Sequence, residues 1–304
     1  TTSIIASTLS DSSSTIGNFN NEIGLPLSIF NSSPKSKYLV YEIGASKFND
    51  INYLSDILKP DIGVITNIGL SHLESLKNTQ GVLKVKSEII NNIKKNGFLI
   101  VPDDDKDHLQ HWKNIRSDIK LLTFGLKESS DFHPLEPSLK TNGLYFLVKS
   151  IYLEKITKIN SKLEGNHNIL NILASCAVHY CLSQDINEFA KKIKSLIFKN
   201  SRLTKIKWIK NSILIDDTYN ANPDSARKSI DLLSNHDNKT YLILGDMLEL
   251  GNHQEKYHKE IGQYAKLKGI DVFLGFGNLA KYAVDGFGNN GIFFDTEDEL
   301  KNYL

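Results

Sequence analysis

The sequence has 304 residues and a mass of 34.2 kDa, which is long for one hydrophobic core and predicts two domains. Its hydrophobic content of 40% and charged content of 23% are typical of a globular protein. A net charge of +1 argues against nucleic acid or an anionic membrane as the main partner, and no apolar run reaches the roughly 18 residues that cross a bilayer.

The first part of the chain alternates short apolar runs with helical patterns. The initial "TTSIIASTLS" predicts a helix whose start is missing, and it lacks the pattern of a signal peptide. We expect the serine cluster "SDSSST" to form a loop. "YLVYEIG", "IGVITNIG", "GFLIVPDDD" and "LLTFG" predict strands, and residues 82–95 predict a helix. The alternation predicts a doubly wound, mainly parallel α/β sheet.

The segment after residue 140 adds a further strand and two helices. "GLYFLVKS" predicts a strand of a small antiparallel addition, and helices are expected over residues 168–182 and 186–198. Cys176 and Cys181 lie in the apolar pattern of the first helix. We therefore expect buried, reduced thiols, which suit a cytoplasmic protein.

A second α/β pattern begins near residue 201. "SILIDD", "TYLILGD", "DVFLGFG" and "GIFFD" predict strands, each followed by a helical segment. We expect a central domain over residues 1–201 and a smaller, Rossmann-like C-terminal domain over residues 202–304.

Polar residues follow several of the predicted strands. Because ligands of open α/β sheets gather at the carboxyl ends of the strands, we expect a polar ligand held between the two domains. The residues at these strand ends are Glu42, Thr66, Asn67, Asp216, Asp217 and Asp246.

Several of the candidate side chains keep a structural alternative. Glu42 could hold Mg²⁺, or it could cap a helix or form a salt bridge. His72 could bind metal, act as a base or contact a phosphate, although a lone loop histidine is usually none of these. On periodicity alone, Lys84 and Lys86 form a solvated helix face, whereas a functional lysine would be buried and neutral.

Three further stretches carry groups suited to a nucleotide. Asn168 could cap a helix, but the imidazole and amide groups clustered around it also suit the edge of an adenine. Arg202 is either a surface arginine or a phosphate clamp. "DDTYNANPDSA" places two carboxylates, an aromatic ring and two asparagines between a strand and a helix, with Pro223 in the first helical turn. We expect a nucleotide or substrate contact there.

Seven strings in this order closely resemble the Mur ligases, and the resemblance covers nearly the whole chain. They are "GNFNNEIGLPL", "EIGAS", "KPDIGVITNIGLSHLE", "KSEI", "GNHNILNILA", "DDTYNANPDS" and "LGDMLELG". The last two are typical of the members that add D-alanyl-D-alanine to UDP-N-acetylmuramoyl-tripeptide. The resemblance implies an ATP-dependent amide ligation in peptidoglycan synthesis. It proceeds through an acyl phosphate, and Mg²⁺ neutralises the meeting anions.

The resemblance also implies a role for individual residues. Glu42, His72 and Lys86 would be catalytic and would hold Mg²⁺, with Lys86 carbamylated into an anionic ligand. The other implied contacts fall into three groups. They are Asn168, Arg202, Asp217 and Asn220 for ATP, Asn18, Asn20 and Asn21 for the sugar-peptide substrate, and Glu249 and His258 near the incoming dipeptide.

The sequence departs from the family pattern at its ends. The N-terminal domain that grips the UDP-sugar and the G-x-x-x-x-G-K-[ST] phosphate loop do not occur in it, so we expect a fragment that binds ATP poorly and does not turn over. A cytoplasmic monomer is expected. Another amide ligase of this architecture is the main alternative, such as a diamino-acid-adding enzyme or a folylpolyglutamate synthase. A truncated, non-catalytic binding module is the other.

Overall fold

The computed structural model describes residues 1–70, 73–114, 116–140, 143–197 and 204–304. They form two compact units. The first contains Thr1–Ile68 and Gln80–Ile197, and the second contains Gly69–Thr79 and the described part of Phe198–Leu304. The predicted boundary at residue 201 lies outside the described residues.

A six-stranded sheet forms the centre of the first unit. The strands are β3 (Ile62–Val64), β4 (Phe98–Pro102), β5 (Lys120–Phe124), β6 (Phe132–Lys140), β7 (Gly143–Ser150) and β8 (Thr157–Ser161), in that order across the sheet. Neighbours from β3 to β6 pair in parallel, whereas β6, β7 and β8 pair antiparallel. The predicted parallel sheet and its antiparallel addition are therefore confirmed.

A separate pair of parallel strands precedes this sheet in the chain. β1 (Ser12–Ser14) pairs with β2 (Tyr38–Val40). The prediction that the serine cluster forms only a loop is therefore wrong. Ser13 Oγ lies 2.7 Å from Ser36 Oγ, so small hydroxyl side chains are satisfied locally while the backbone pairs as a strand.

The described part of the first unit contains seven α-helices. They are α1 (Thr2–Thr8), α2 (Gly24–Phe30), α3 (Asp50–Leu58), α5 (Thr79–Ser87), α6 (Lys106–Lys113), α7 (Asn166–Cys181) and α8 (Ile186–Ser195). α7 is the most buried, with nine consecutive or near-consecutive core positions from Ile169 to His179. Cys176 and Cys181 are free thiols, as predicted. Burial raises the pKa of each to about 12.

The helix predicted over residues 82–95 is shorter than expected. The α-helical part ends at Ser87, and a 3-10 turn follows over Glu88–Asn92. Arg116 donates from Nη1 to the carbonyl oxygens of Ile90 (2.8 Å) and Ile93 (2.7 Å). These carbonyls are thus satisfied without further helical hydrogen bonds.

The second unit holds two small sheets and five α-helices among its described residues. β9 (Thr204–Lys207) and β10 (Ile213–Asp216) pair antiparallel, and β11 (Tyr241–Leu244), β12 (Val272–Phe276) and β13 (Gly291–Phe294) form a parallel sheet. The helices are α4 (Leu73–Leu76), α9 (Pro223–Leu233), α10 (Gln254–Leu267), α11 (Ala280–Phe287) and α12 (Glu297–Tyr303).

The four predicted strands and their following helices are confirmed in this second unit. α10 and α11 pack so closely that only glycine fits at two contact positions. A Cβ at Gly262 would collide with the carbonyl of Ala283, and one at Gly286 would collide with that of Lys259. No helix within the described ranges is long and apolar enough to span a membrane.

Candidate active site

Two loops of the first unit meet at Glu42, just beyond the carboxyl end of β2. Asn20 donates from Nδ2 to Glu42 Oε1 (3.1 Å), and the amide of Gly44 donates to the carbonyl of Asn20 (2.8 Å). The Glu42 amide donates to Thr15 Oγ1 (2.6 Å). Glu42 itself is exposed. No pattern in the sequence pointed to Thr15, whose hydroxyl accepts from the backbone amide beneath the carboxylate.

The three asparagines of this first loop do not behave alike. Only Asn20 is bound to Glu42. Asn21 accepts from the amides of Gly24 (2.8 Å) and Ile23 (3.3 Å), which are at the start of α2. Asn18 is exposed. Asn21 Oδ1 therefore holds the first turn of α2, and its contact with the substrate stays a prediction.

Lys86 lies near the carboxyl end of β3. Its Nζ donates to the carbonyl oxygen of Asn67 (2.7 Å) and to Asn67 Oδ1 (3.3 Å). The side chain is half-buried, whereas Lys84 in the preceding turn is exposed and has its ammonium 5.6 Å from the Phe48 ring centroid. The two lysines therefore do not form one solvated face, and Lys86 is the one directed at a strand end.

Of the three predicted metal ligands, Glu42 and Lys86 belong to the described residues, whereas His72 lies outside them. The described part of the chain contains no group of three or more His, Cys, Asp or Glu residues suited to a metal ion. The exposed Glu42 carboxylate is nevertheless an oxygen ligand of the type that Mg²⁺ prefers. A carbamate on Lys86 would supply further oxygens, so the available donor types fit this ion.

The start of α7 carries a chain of polar contacts. Thr1 Oγ1 donates to Asn171 Oδ1 (2.6 Å), and Asn171 Nδ2 donates to Asn168 Oδ1 (3.1 Å). Asn168 Nδ2 then donates to the carbonyl of Glu164 (2.7 Å). The helix begins at Asn166 with Gly165 as its N-cap, so capping by Asn168 is wrong.

The turn after β10 uses several of its polar groups for structure. Asp216 Oδ1 accepts from the amide (3.1 Å) and hydroxyl (2.7 Å) of Thr218, and Asp217 Oδ2 accepts from Ser229 (2.5 Å). Asn222 is the N-cap of α9, in a capping box with Ser225. As predicted, Pro223 occupies the first turn of that helix.

Two members of this turn extend toward solvent. Tyr219 is 48% exposed, and Asn220 is exposed with its Oδ1 accepting from the adjacent amide of Ala221 (2.8 Å). These two side chains, together with the partly exposed Asp217, are the part of the turn that can reach a ligand. The aromatic face can stack on a planar base.

Asp246, at the end of β11, closes the first turn of α11. Its Oδ1 accepts from the amides of Leu279 (2.7 Å) and Ala280 (2.9 Å), and Oδ2 accepts from Asn278 (2.9 Å). This carboxylate is thereby committed to a helix N-terminus. The binding of a ligand by Asp246 stays a prediction.

His258 has a structural role in the second unit. Its ring is fully buried. Nε2 accepts from the amide of Met247 (2.9 Å) and Nδ1 donates to the carbonyl of Gln254 (2.7 Å). Both ring nitrogens are used, which leaves none for a substrate. Burial lowers the pKa of this imidazole and keeps it neutral.

Glu249 remains accessible in the second unit. It is exposed and has a φ of 62°, a left-handed conformation that few non-glycine residues adopt. Its carbonyl accepts from the amide of Glu74 (3.1 Å). The same segment is held at Leu70, whose amide donates to Asp224 Oδ2 (2.7 Å). No pattern in the sequence pointed to this contact of Asp224.

The predicted ATP contact Arg202 lies outside the described residues, like His72. The remaining predicted site residues lie at the carboxyl ends of β2 and β3 and the start of α7 in the first unit, and in the turn after β10 and at Glu249 in the second. Each unit presents its own set of side chains that can accept a ligand.

Comparison with known families defines the class of protein. The Mur ligase middle domain matches residues 1–179, and the Mur ligase, glutamate ligase domain matches residues 201–302. The chain belongs to the Mur ligase family.

Individual relatives show which members of the family this chain is similar to. UDP-N-acetylmuramoyl-tripeptide–D-alanyl-D-alanine ligase of Haemophilus influenzae is 32% identical over 307 residues, covering 100% of this chain and 65% of the relative. The enzyme of the same name from Buchnera aphidicola (Acyrthosiphon pisum) is 34% identical, over 96% of this chain and 64% of the relative. The chain thus spans just under two thirds of the length of these relatives.

Solved structures of MurF are also similar to this chain. Crystal structure I of MurF from Acinetobacter baumannii has a TM-score of 0.90 at 27% identity, covering 99% of this chain and 65% of that one. MurF ligase from Thermotoga maritima in complex with ADP has a TM-score of 0.87 at 26% identity, over 99% and 69%. A folylpolyglutamate synthase from Thermotoga maritima shares the fold, with a TM-score of 0.64 at 15% identity.

Proposed function

We propose that the chain forms the central and C-terminal parts of an ATP-dependent ligase that adds D-alanyl-D-alanine to UDP-N-acetylmuramoyl-tripeptide. The carrying observation is the half-buried Lys86, whose Nζ is held 2.7 Å from the carbonyl of Asn67 at a strand end. Ligands of α/β sheets gather at such ends. Relatives at 32% and 34% identity carry this activity in their names and support the choice of substrates.

The proposed reaction has two steps. The terminal carboxylate of the tripeptide attacks the γ-phosphorus of ATP, so that an acyl phosphate forms and ADP leaves. The amine of D-alanyl-D-alanine then attacks the acyl carbon, loses a proton and displaces inorganic phosphate. Bound Mg²⁺ would supply the positive charge that lets these anions approach.

The residues of this chain take distinct parts in the proposal. Glu42, Lys86 as its carbamate, and His72 would hold Mg²⁺, with Asn20 fixing the position of Glu42. Other residues would bind the substrates. These are Asn168, Arg202, Asp217 and Asn220 for ATP, Asn18, Asn20 and Asn21 for the sugar-peptide, and Glu249 for the dipeptide.

Two features, one exposed and one half-buried, support contacts of this kind. Tyr219 offers a ring face beside Asn220, an arrangement that suits a nucleotide base. Asn168 Nδ2 contacts the Glu164 carbonyl and His167 Nε2 (3.2 Å), and its Oδ1 accepts from Asn171, so the amide is fixed in one orientation and a ligand would donate to the remaining lone pair of Oδ1. We further propose that the enzyme acts in the cytoplasm, where ATP is available, and we retain the prediction of a monomer.

The first test compares two neighbouring lysines in the protein expressed from its native gene. Lys86→Ala should lower dipeptide-dependent ADP release at least about 100-fold, because a metal ligand would be lost. Lys84→Ala, on the same helix but exposed, should change it by less than about threefold. Equal losses in the two variants would contradict the role of Lys86. Faster ADP release with L-lysine, diaminopimelate or L-glutamate than with the dipeptide would contradict the proposed substrate.

A second test examines the modification of Lys86 without using activity. The neutral amine would attack carbon dioxide, forming an N–C bond and releasing a proton to give the carbamate. Incubation with ¹³C-bicarbonate should give a carbamate signal in the ¹³C spectrum that is lost in Lys86→Arg and kept in Lys84→Arg. A signal that survives in Lys86→Arg would place the carbamate elsewhere.

A further inference from the structure

A pocket in the first unit lies at the opposite end of the strands from the proposed reaction site. Its volume is about 540 Å³, within the range of small-molecule sites. Phe98 begins β4 and Lys120 begins β5, so the pocket opens at the amino ends of these parallel strands. A strand of five residues spans roughly 17 Å, which separates this pocket from the carboxyl ends.

Aromatic rings form one wall of the pocket. Tyr152 and Tyr180 are stacked with their ring centroids 5.2 Å apart and an interplanar angle of 29°. Both rings pack on Phe132, at 6.2 and 6.0 Å, and Phe132 is fully buried beneath them. The wall is therefore preorganised to receive another flat ring by stacking.

Polar side chains at the rim of this pocket are open to solvent. Tyr152 is 38% exposed, Lys120 and Ser183 are exposed, and Tyr180 is half-buried. Lys120 forms no ion pair with any described carboxylate, and its ammonium lies 5.6 Å from the Phe98 ring centroid. Burial, with help from the nearby Asp131 charge, raises the pKa of Tyr152, so its phenol stays protonated and able to donate.

We propose that this pocket is a second binding site, for a planar aromatic ring that carries an anionic group. The ring would stack on Tyr152 and Tyr180. The anion would accept from Lys120, the phenols and the hydroxyl of Ser183, which are all donors. Cys181 also lines the pocket, but a thiol with a pKa of about 12 is no nucleophile, so the site binds without covalent chemistry. The inference is independent of the proposed ligase reaction.

The test uses 8-anilinonaphthalene-1-sulfonate as the anionic probe and its sulfonate-free analogue as the neutral one. Binding to the 304-residue chain is followed by fluorescence titration. The parent should bind the anion saturably with one site and prefer it to the neutral analogue. Lys120→Gln should weaken anion binding about fivefold and leave the neutral analogue unchanged within about twofold. Tyr180→Phe should weaken the anion about threefold by removing one donor.

Lys158→Gln is the matched control. Lys158 lies on β8 over the ring of Tyr145, at 5.1 Å, in the same lysine-on-aromatic arrangement but outside the pocket. This variant should bind the anionic probe like the parent. An unchanged preference for the anion in Lys120→Gln, or an equal loss in Lys158→Gln, would overturn the proposal. So would the lack of saturable binding to the parent.

Discussion

At the scale of single residues, hydrogen bonds separate the side chains that finish the fold from those that can bind a ligand. Asn222 and Asn220 are two positions apart in one turn, yet Asn222 accepts from the amide of Ser225 (2.9 Å) at the start of α9 while Asn220 remains exposed. The same residue types serve both purposes because carboxylates and amides suit helix N-termini and polar ligands equally. For this reason the sequence located the cluster but could not assign its members.

This pair of asparagines gives a stability prediction. Asn222→Ala should lower the free energy of unfolding by about 1 kcal/mol, since an amide at the start of α9 loses its acceptor. Asn222→Asp should restore most of the loss. Asn220→Ala should stay within about 0.5 kcal/mol of the parent. Urea denaturation of the three variants measures these differences, and equal losses at 220 and 222 would contradict the assigned roles.

At the scale of secondary structure, the apolar pattern predicted strands whose buried side chains are apolar, but it missed a strand whose buried side chains are partly polar. β4 was identifiable because Leu99, Ile100 and Val101 are apolar and fully buried. β8 went unpredicted because two of its buried positions are Thr157 and Ser161, whose small polar side chains give little hydrophobic signal. A sequence pattern reports burial only where the buried side chain is apolar.

The start of α11 provides a prediction at this scale. Asp246→Ala should destabilise the protein by about 2 kcal/mol, because three backbone amides lose a charged acceptor. Asp246→Asn should fall between the parent and the alanine variant. Asp285→Ala, on the exposed side of the same helix, should change stability by less than about 0.5 kcal/mol.

Thermal or urea unfolding can distinguish these cases. A loss at Asp285 as large as the loss at Asp246 would show that general charge, and not the three hydrogen bonds, stabilises α11.

Gly277 lies next to the Asp246 carboxylate that accepts these hydrogen bonds. Its φ is +119°, and a Cβ there would approach Asp246 Oδ1 to 2.5 Å.

At the scale of the whole molecule, each unit contains a buried neutral histidine. His179 lies in the first unit against Phe189, with ring centroids 4.5 Å apart, and His258 lies in the second. Burial is the main cause that lowers the pKa of each imidazole below its ordinary value of 6.5. Below that pH the unfolded chain binds protons that the folded chain does not.

The resulting prediction concerns stability against pH. Both units should be most stable above about pH 6.5 and should lose stability as the pH falls from 7.5 to 5.5. His258→Gln, which can still donate and accept but does not titrate, should reduce this loss in the second unit. Carboxyl groups with a lowered pKa, such as Asp271, titrate below 3.8 and do not contribute in this range.

Urea midpoints at pH 7.5, 6.5 and 5.5 provide the measurement. His179→Gln is the corresponding variant for the first unit, and the double variant should show the flattest dependence. A parent whose midpoint rises on acidification, or a double variant as sensitive as the parent, would contradict the neutral state of these rings.

The hydrogen bonds at Leu70 and Glu74 have a consequence for building hybrid enzymes. Residues 69–79 are early in the chain, but Asp224 comes 154 residues after its partner Leu70, and Glu249 comes later still. A chimera joined near residue 200 would take its early segment from one parent and that segment's anchors from the other. Grafts that carry residues 69–79 together with the C-terminal region would keep these contacts matched, so the natural unit of exchange is discontinuous.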